Sequence, residues 1–293
     1  MTGQKYKNIL YETTDDGITT ITLNRPEVFN AFNREMASEL SDALSNFANE
    51  KDEWFCILTG SGKAFCSGED LRNIDLDASG EEKREFTREA LGSYHKIILQ
   101  ILESAKPIVA ALNGTVAGAG LSIALACDER FAVEGDKNML IPGFSAIGLT
   151  PDAGMVSLLE RLVGYQETKK WLAPGTHMTF SKVCEPRNAV GFQDFRIISA
   201  LYFDMERMKF GINEFAHRLR RDRSLAEYCA TKVLLNADMR EKFLNGIFKM
   251  ELKMQTLLEQ GEDFREGLTA FREKRKPKFN RGLGVNGDDR SET

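Results

Sequence analysis

Pro107 to Cys127 is a run of 21 residues without a charge, in a chain where 28% of residues are Asp, Glu, Lys or Arg. Such a run has to leave water, either in a bilayer or in a protein core. It is long enough to cross a membrane, and Gly114 with Gly118 forms a GxxxG. But Pro107, Asn113, Gly114, Thr115, Gly118, Gly120 and Ser122 interrupt its apolar face. It reads better as a buried strand over Pro107–Leu112, a glycine turn, and a buried helix over Ala119–Cys127. Together with its neighbours it makes strands alternate with helices over the first 170 residues, which indicates an α/β layer structure with a fully covered sheet.

The neighbouring segments agree. Asn8–Thr14 and Ile18–Leu23 flank Asp15-Asp16-Gly17 and predict a hairpin. Asn33 is placed to cap a helix reaching Asn49, with Met36, Leu40, Leu44 and Phe47 at helical spacing. Phe55–Thr59 is a short buried strand that ends in Gly60-Ser61-Gly62. Asp75–Arg88 is highly charged and is expected to be solvated and mobile, before helical spacing resumes over Ala90–Leu102. Arg130–Glu134 reads as a strand and Val156–Leu162 as a helix. From Asp204 the pattern is helical, over Met205–Arg220, Ser224–Leu235, Arg240–Glu259 and Phe264–Lys274. The expected organisation is an α/β core over residues 1–203, a helical region over 204–280, and a disordered polar tail over 281–293.

Thirty-nine basic against 44 acidic residues give a net charge of −5, which argues against a general nucleic-acid binder. The five cysteines (Cys56, Cys66, Cys127, Cys184, Cys229) are widely spaced and never form CxxC, so reduced thiols in a cytoplasmic setting are expected. His95, His177 and His217 lie too far apart for a sequence-local metal motif. The first residues show no signal-peptide apolar region.

Three segments carry chemistry. In Lys63-Ala64-Phe65-Cys66-Ser67-Gly68-Glu69-Asp70-Leu71, a glycine lets successive N–H groups turn toward one spot. Asn113–Leu121 is a small-residue loop that lets a ligand approach a helix N-terminus. In Ile147–Met155, Asp152 stands where a helix should begin, and on its own reads as an N-cap.

Taken in order, FCSGEDL, KPIVAALNGTVAGAG and GLTPDAG resemble the enoyl-CoA hydratase/isomerase (crotonase) superfamily. Leu23-Asn24-Arg25-Pro26, Asn30-Ala31 and the stretch from Glu266 to Phe279 look similar to it as well. The resemblance implies a crotonase-like (ClpP/crotonase) ββα superhelix with a C-terminal helical trimerisation region, assembled as a homotrimer or hexamer. It implies an oxyanion hole, made by the backbone N–H groups of Glu69 and Ala119, that holds the thioester oxygen of an acyl-CoA. The Glu69 carboxylate is then expected to point away, toward solvent or a partner. Arg25 and Lys63 become candidates for the CoA phosphates, with Ala64, Ser67, Gly68, Asp70 and Leu71 beside the CoA and Lys274, Arg275, Lys276 and Lys278 as further basic contacts.

Where superfamily hydratases carry two glutamates, this chain has Ser122 and Phe144, which become acyl-pocket residues. The remaining acid is Asp152, similar to the single catalytic aspartate of ring-1,2-epoxyphenylacetyl-CoA isomerase-like members. His95, twelve residues before Pro107, has a spacing that resembles the general-base histidine of 4-chlorobenzoyl-CoA dehalogenases. The leading expectation is an enoyl-CoA double-bond isomerase in which Asp152 shuttles one proton, with no metal and no redox cofactor. The alternatives are a hydratase, hydrolase or dehalogenase-like enzyme using Asp152 with His95, and a catalytically silent CoA-binding protein. Leu172–Phe203 departs from the family pattern and shows poor helical periodicity.

Overall fold

The computed structural model describes residues 6–184, 197–222 and 224–279. Its first elements form the expected hairpin: β1 (Ile9–Thr13) and β2 (Ile18–Leu23) pair antiparallel, with Ile9 opposite Leu23. Helix α1 (Arg34–Asn49) starts where the Asn33 side chain accepts the Met36 N–H at 2.8 Å, and it buries Met36, Leu40, Leu44 and Phe47. It returns the chain so that β3 (Phe55–Gly60) lies parallel to β2. Strand β4 (Ala64–Cys66) then enters a second sheet.

The charged stretch behaves differently from expectation. Gly80–Arg88 forms the first turns of α2 (Gly80–Glu103), started by a capping box in which Ser79 and Glu82 bond reciprocally to each other's backbone N–H. The Ser-x-x-Glu spacing was there to be read, but the density of charge masked it.

The uncharged run divides into β5 (Ile108–Leu112), β6 (Thr115–Ala117) and α3 (Gly118–Ala126). No helix among the described residues is long and apolar enough to cross a membrane. Next come β7 (Glu129–Val133), β8 (Met139–Ile141) and α4 (Met155–Leu172), which kinks at Gly164 (φ 75°, ψ 164°). The divergent segment supplies β9 (Met178–Thr179), α5 (Phe180–Cys184) and β10 (Ala200–Tyr202). β10 adds a parallel edge beside β7, and β9 pairs antiparallel with β8. The rest of that segment, 185–196, and the tail over 281–293 lie outside the described residues.

The six-stranded sheet has the order β1-β2-β3-β5-β7-β10, and the four-stranded sheet β4-β6-β8-β9. Strand β5 explains why the chain had to be apolar there. Ile108, Ala110 and Leu112 enter one core, while Val109 and Ala111 enter another, built with Met208, Ile212 and Ala216 of α6 (Met205–Asp222). The C-terminal helices do not break where the periodicity suggested. α7 (Leu225–Lys242) runs through a π-helical turn (Phe243–Ile247) into α8 (Phe248–Leu258), followed by α9 (Glu262–Arg272). Phe243 is fully buried in the larger core.

Lys232 of α7 is buried. Its ammonium donates to Asp128 Oδ2 at 2.7 Å and to the Lys106 carbonyl at 2.9 Å, and the same Asp128 oxygen accepts the Ile108 N–H at 2.7 Å. This ties the C-terminal helices to the start of β5. Removing one partner strands a buried charge, so Lys232→Met should cost about 3–5 kcal/mol in chemical denaturation, and adding Asp128→Asn should recover part of the loss.

Candidate active site

Strands β4 and β6 run parallel, Ala64 beside Thr115; β4 leads into a loop that turns on Gly68 (φ 89°), and β6 passes straight into α3 through Gly118 (φ 51°). A Cβ on Gly68 would lie 3.1 Å from the Ala117 carbonyl oxygen and 3.5 Å from the Ala119 nitrogen. The two backbones pass in contact, and both the φ and the space demand glycine. Phe32 holds the other side of the first loop: its N–H donates to the Gly68 carbonyl at 2.7 Å, and its carbonyl accepts the Asp70 N–H at 2.9 Å. In that parallel bridge the N–H of the middle residue, Glu69, faces away from Phe32. Ala119 is the second residue of α3, so its N–H has no intrahelical acceptor, and no side chain caps this helix. The two segments therefore present two backbone donors, one of them at a helix N-terminus whose dipole favours negative charge.

Asn30 anchors the first loop. It is fully buried at φ 56°, donates to the Ser61 and Ala64 carbonyls at 2.9 and 2.8 Å, and accepts the Arg25 N–H at 2.9 Å.

Asp152 does not cap α4. Gly154 holds that position at φ 75°, no side chain caps the helix, and Glu251 of α8 accepts the Gly154 N–H at 2.9 Å. The Asp152 carboxyl is thereby left for other contacts. Its Oδ2 accepts from Gln255 Nε2 at 2.9 Å, while Oδ1 is buried without a hydrogen-bond partner among the described residues. The Asp152 carbonyl accepts from Ser122 Oγ at 3.0 Å. Ser122 lies one turn beyond Ala119 on α3, so this bond joins the Asp152 loop to the helix that carries one of the backbone donors. Phe144 is buried just before the short 3-10 turn Ser145–Ile147 that precedes this loop.

Burial pushes the Asp152 carboxyl well above the ordinary carboxylate range. The negative charge of Glu251 adds to this, the Gln255 hydrogen bond opposes it, and Glu69 and Glu259 push further upward. The Glu69 carboxyl, expected to point toward solvent or a partner, is half-buried and accepts a hydrogen bond from the Tyr94 hydroxyl. Burial pushes it up to about 7, with Tyr94 acting in the opposite sense. Tyr94 is itself raised, by burial first and then by Glu69, with Asp152 contributing. Glu69, Tyr94 and Asp152 thus sense one another electrostatically.

His95 is not paired with Asp152. Its Nε2 lies 2.9 Å from Glu251 Oε2, and its ring stacks on Phe248 at 3.7 Å between centroids. The CoA candidates separate into two groups. Arg25 is committed internally, to Asp70 Oδ2 at 3.2 Å and to the Ala31 carbonyl. Asp70 is buried and holds Arg72 as well, at 2.7 and 2.6 Å. Ala64 is buried with its carbonyl taken by Asn30 and Asn113. Lys63, just before β4, and Ser67, on the loop after it with Gly68, are exposed, and Leu71 begins the 3-10 turn that follows. At the C-terminal end Arg275 pairs with Glu266 and Glu273, while Lys274, Lys276 and Lys278 are exposed. No cluster among the described residues has three or more side chains placed to hold a metal.

Sequence reasoning missed Tyr94, Glu251 and Gln255. Tyr94 reads as part of an apolar stripe, and the spacing of Glu251, Gln255 and Glu259 reads as the solvated face of a helix.

Known proteins bear on this geometry. Residues 13–282 match the family described as Enoyl-CoA hydratase/isomerase. The chain is 36% identical over 274 residues to a probable enoyl-CoA hydratase of Rhodobacter capsulatus, covering 94% of this chain and 98% of that protein. It is 31% identical over 285 residues to a trans-2-decenoyl-[acyl-carrier-protein] isomerase of Streptococcus mutans, again covering 94% and 98%. Its fold is that of a solved enoyl-CoA hydratase from Mycobacterium avium subsp. paratuberculosis K-10, with a TM-score of 0.78 at 23% identity over 94% of this chain and 99% of that one. The α/β fold with its C-terminal helices is thus crotonase-like, and the chain belongs to the enoyl-CoA hydratase/isomerase family of enzymes.

Proposed function

We propose that this protein is an enoyl-CoA double-bond isomerase in which Asp152 carries the proton and the Glu69 and Ala119 N–H groups hold the thioester oxygen. The observation that carries the reading is the Asp152 carboxyl, buried with one oxygen unpartnered among the described residues, on a residue whose carbonyl is joined through Ser122 to the helix that presents the Ala119 N–H. In the first step a C–H bond of the substrate breaks, an O–H bond forms on Asp152, and the electron pair delocalises into the thioester as a dienolate. In the second step the same proton leaves Asp152 for the other end of the conjugated system, and the double bond has moved. Backbone donors fixed before the reaction stabilise the enolate oxygen by several kcal/mol. Ser122 and Phe144 have no carboxylate, which disfavours activating a water at those positions. The reaction needs no metal or redox cofactor, and the rate should survive EDTA. A homotrimer or hexamer completes the reading, and light scattering should give three or six times the 32.9 kDa chain mass.

Asp152→Asn should lower kcat for 3-enoyl-CoA to 2-enoyl-CoA conversion by roughly a hundred- to ten-thousand-fold. Full retention of activity would discard the reading. Because the base must be ionised, wild-type kcat/KM should rise with pH through a value well above the ordinary carboxylate range. Stability runs the other way. A folded-state pKa above the unfolded one gives stabilisation that is complete below the unfolded value and lost as pH rises through the folded one. Tm should therefore fall as pH rises through the region where activity appears.

Glu69 favours a second reading. Its carboxyl, raised to about 7 and electrostatically coupled to Asp152, supplies a second acid that would suit a hydratase. Reaction in oxygen-18 water separates the two: the isomerase reading requires unlabelled product, and solvent oxygen in the product would transfer the assignment to hydration.

A further inference from the structure

Gln255 stands on α8, about a hundred residues after the loop it grips. It is 2% exposed, and its Nε2 donates both to the Thr150 carbonyl at 2.8 Å and to Asp152 Oδ2 at 2.9 Å. A backbone carbonyl only accepts, so contact with Thr150 fixes which way the amide faces: the nitrogen inward and the oxygen out. Asp152 Oδ2 consequently meets a donor whether or not the carboxyl is protonated. The two acceptors left over, Asp152 Oδ1 and Gln255 Oε1, are buried and unpartnered among the described residues. One turn earlier on the same helix, Glu251 takes the Gly154 N–H with one oxygen and His95 with the other. The helix thus holds the Asp152 loop at Thr150, Asp152 and Gly154.

We propose that Gln255 is a positioning residue that ties down Oδ2 of Asp152 and leaves Oδ1 as the only oxygen that takes up and releases the proton. This rests on the assignment of Asp152 as the proton carrier. A carboxylate free to rotate would present either oxygen, and each wrong presentation would lose the alignment on which proton transfer depends. The fixed amide removes that freedom without adding a charge. The titratable groups that act on Asp152 are Glu251 from α8, Glu259 at the end of that helix, Glu69 from the first loop and Tyr94 from α2, with His95 behind Glu251. Gln255 is the uncharged donor among them, and its hydrogen bond favours the ionised carboxyl.

The test is the pH profile of isomerisation in Gln255→Met, which keeps the bulk and removes the donor. The acid limb of kcat/KM should move up by about one pH unit, and kcat should fall about tenfold or more while KM stays within about twofold. Gln255→Glu, of the same size, should move the limb further up, because two carboxyl groups then share the site. It serves as the readout should the methionine variant not fold. A limb that stays in place in the folded variant, even with a lowered Tm, overturns the proposal. Carbon-13 titration of the Asp152 carboxyl, identified by its loss in Asp152→Asn, reads the same contact without catalysis. An upward shift in Gln255→Met supports the tie even if Asp152→Asn proves fully active and the isomerase reading falls, and an unmoved titration overturns it.

Discussion

Asp152 carries a carboxyl group into the protein interior, where burial and the negative charges of Glu251, Glu69 and Glu259 all act against its ionisation. Isolated buried carboxylates are strongly disfavoured, and such groups respond by holding their proton. Three contacts hold the segment that carries this carboxyl. Glu251 accepts the Gly154 N–H at the start of α4, Gln255 supplies one fixed donor, and Ser122 secures the main chain. Had Asp152 capped α4, the helix N-terminus would have stabilised its ionised form and made it a weaker base.

The C-terminal helices are therefore more than a wrapping. Met239 and Phe243 belong to the same hydrophobic core as the strands, and Phe248 passes the packing on to His95. The π-helical turn at Phe243–Ile247 lets one long helix change its facing residues midway. Lys232 binds the helix before the turn to β5, while Glu251 and Gln255 after it reach the Asp152 loop. The buried ion pair and the grip on Asp152 lie at two ends of one helical run, so the Asp152 loop is tied to the core.

Much of the fold could be read directly. In β5 the alternation of two cores requires apolar residues at every position, which is why the uncharged run announced a covered sheet. The hairpin at Gly17 and the Asn33 cap were local enough for adjacent residues to settle them. Gly68 was legible as a turn, though not as the point where two backbones touch. The edge strands drawn from the divergent segment were not legible, because a strand of two or three residues has no period of its own and exists only where a neighbour offers free backbone groups.

The line between the two kinds of information runs through Asp152 and Glu69. The order of motifs determined the family and singled out Glu69, Ala119 and Asp152, since these depend on residue type and short spacing. Whether the Asp152 carboxyl capped a helix or lay buried against Gln255, and whether the Glu69 carboxyl found Tyr94, depended on α8 and α2 arriving from distant parts of the chain. Burial and hydrogen bonding are properties of the assembled surroundings, and no stretch of sequence contains its own surroundings.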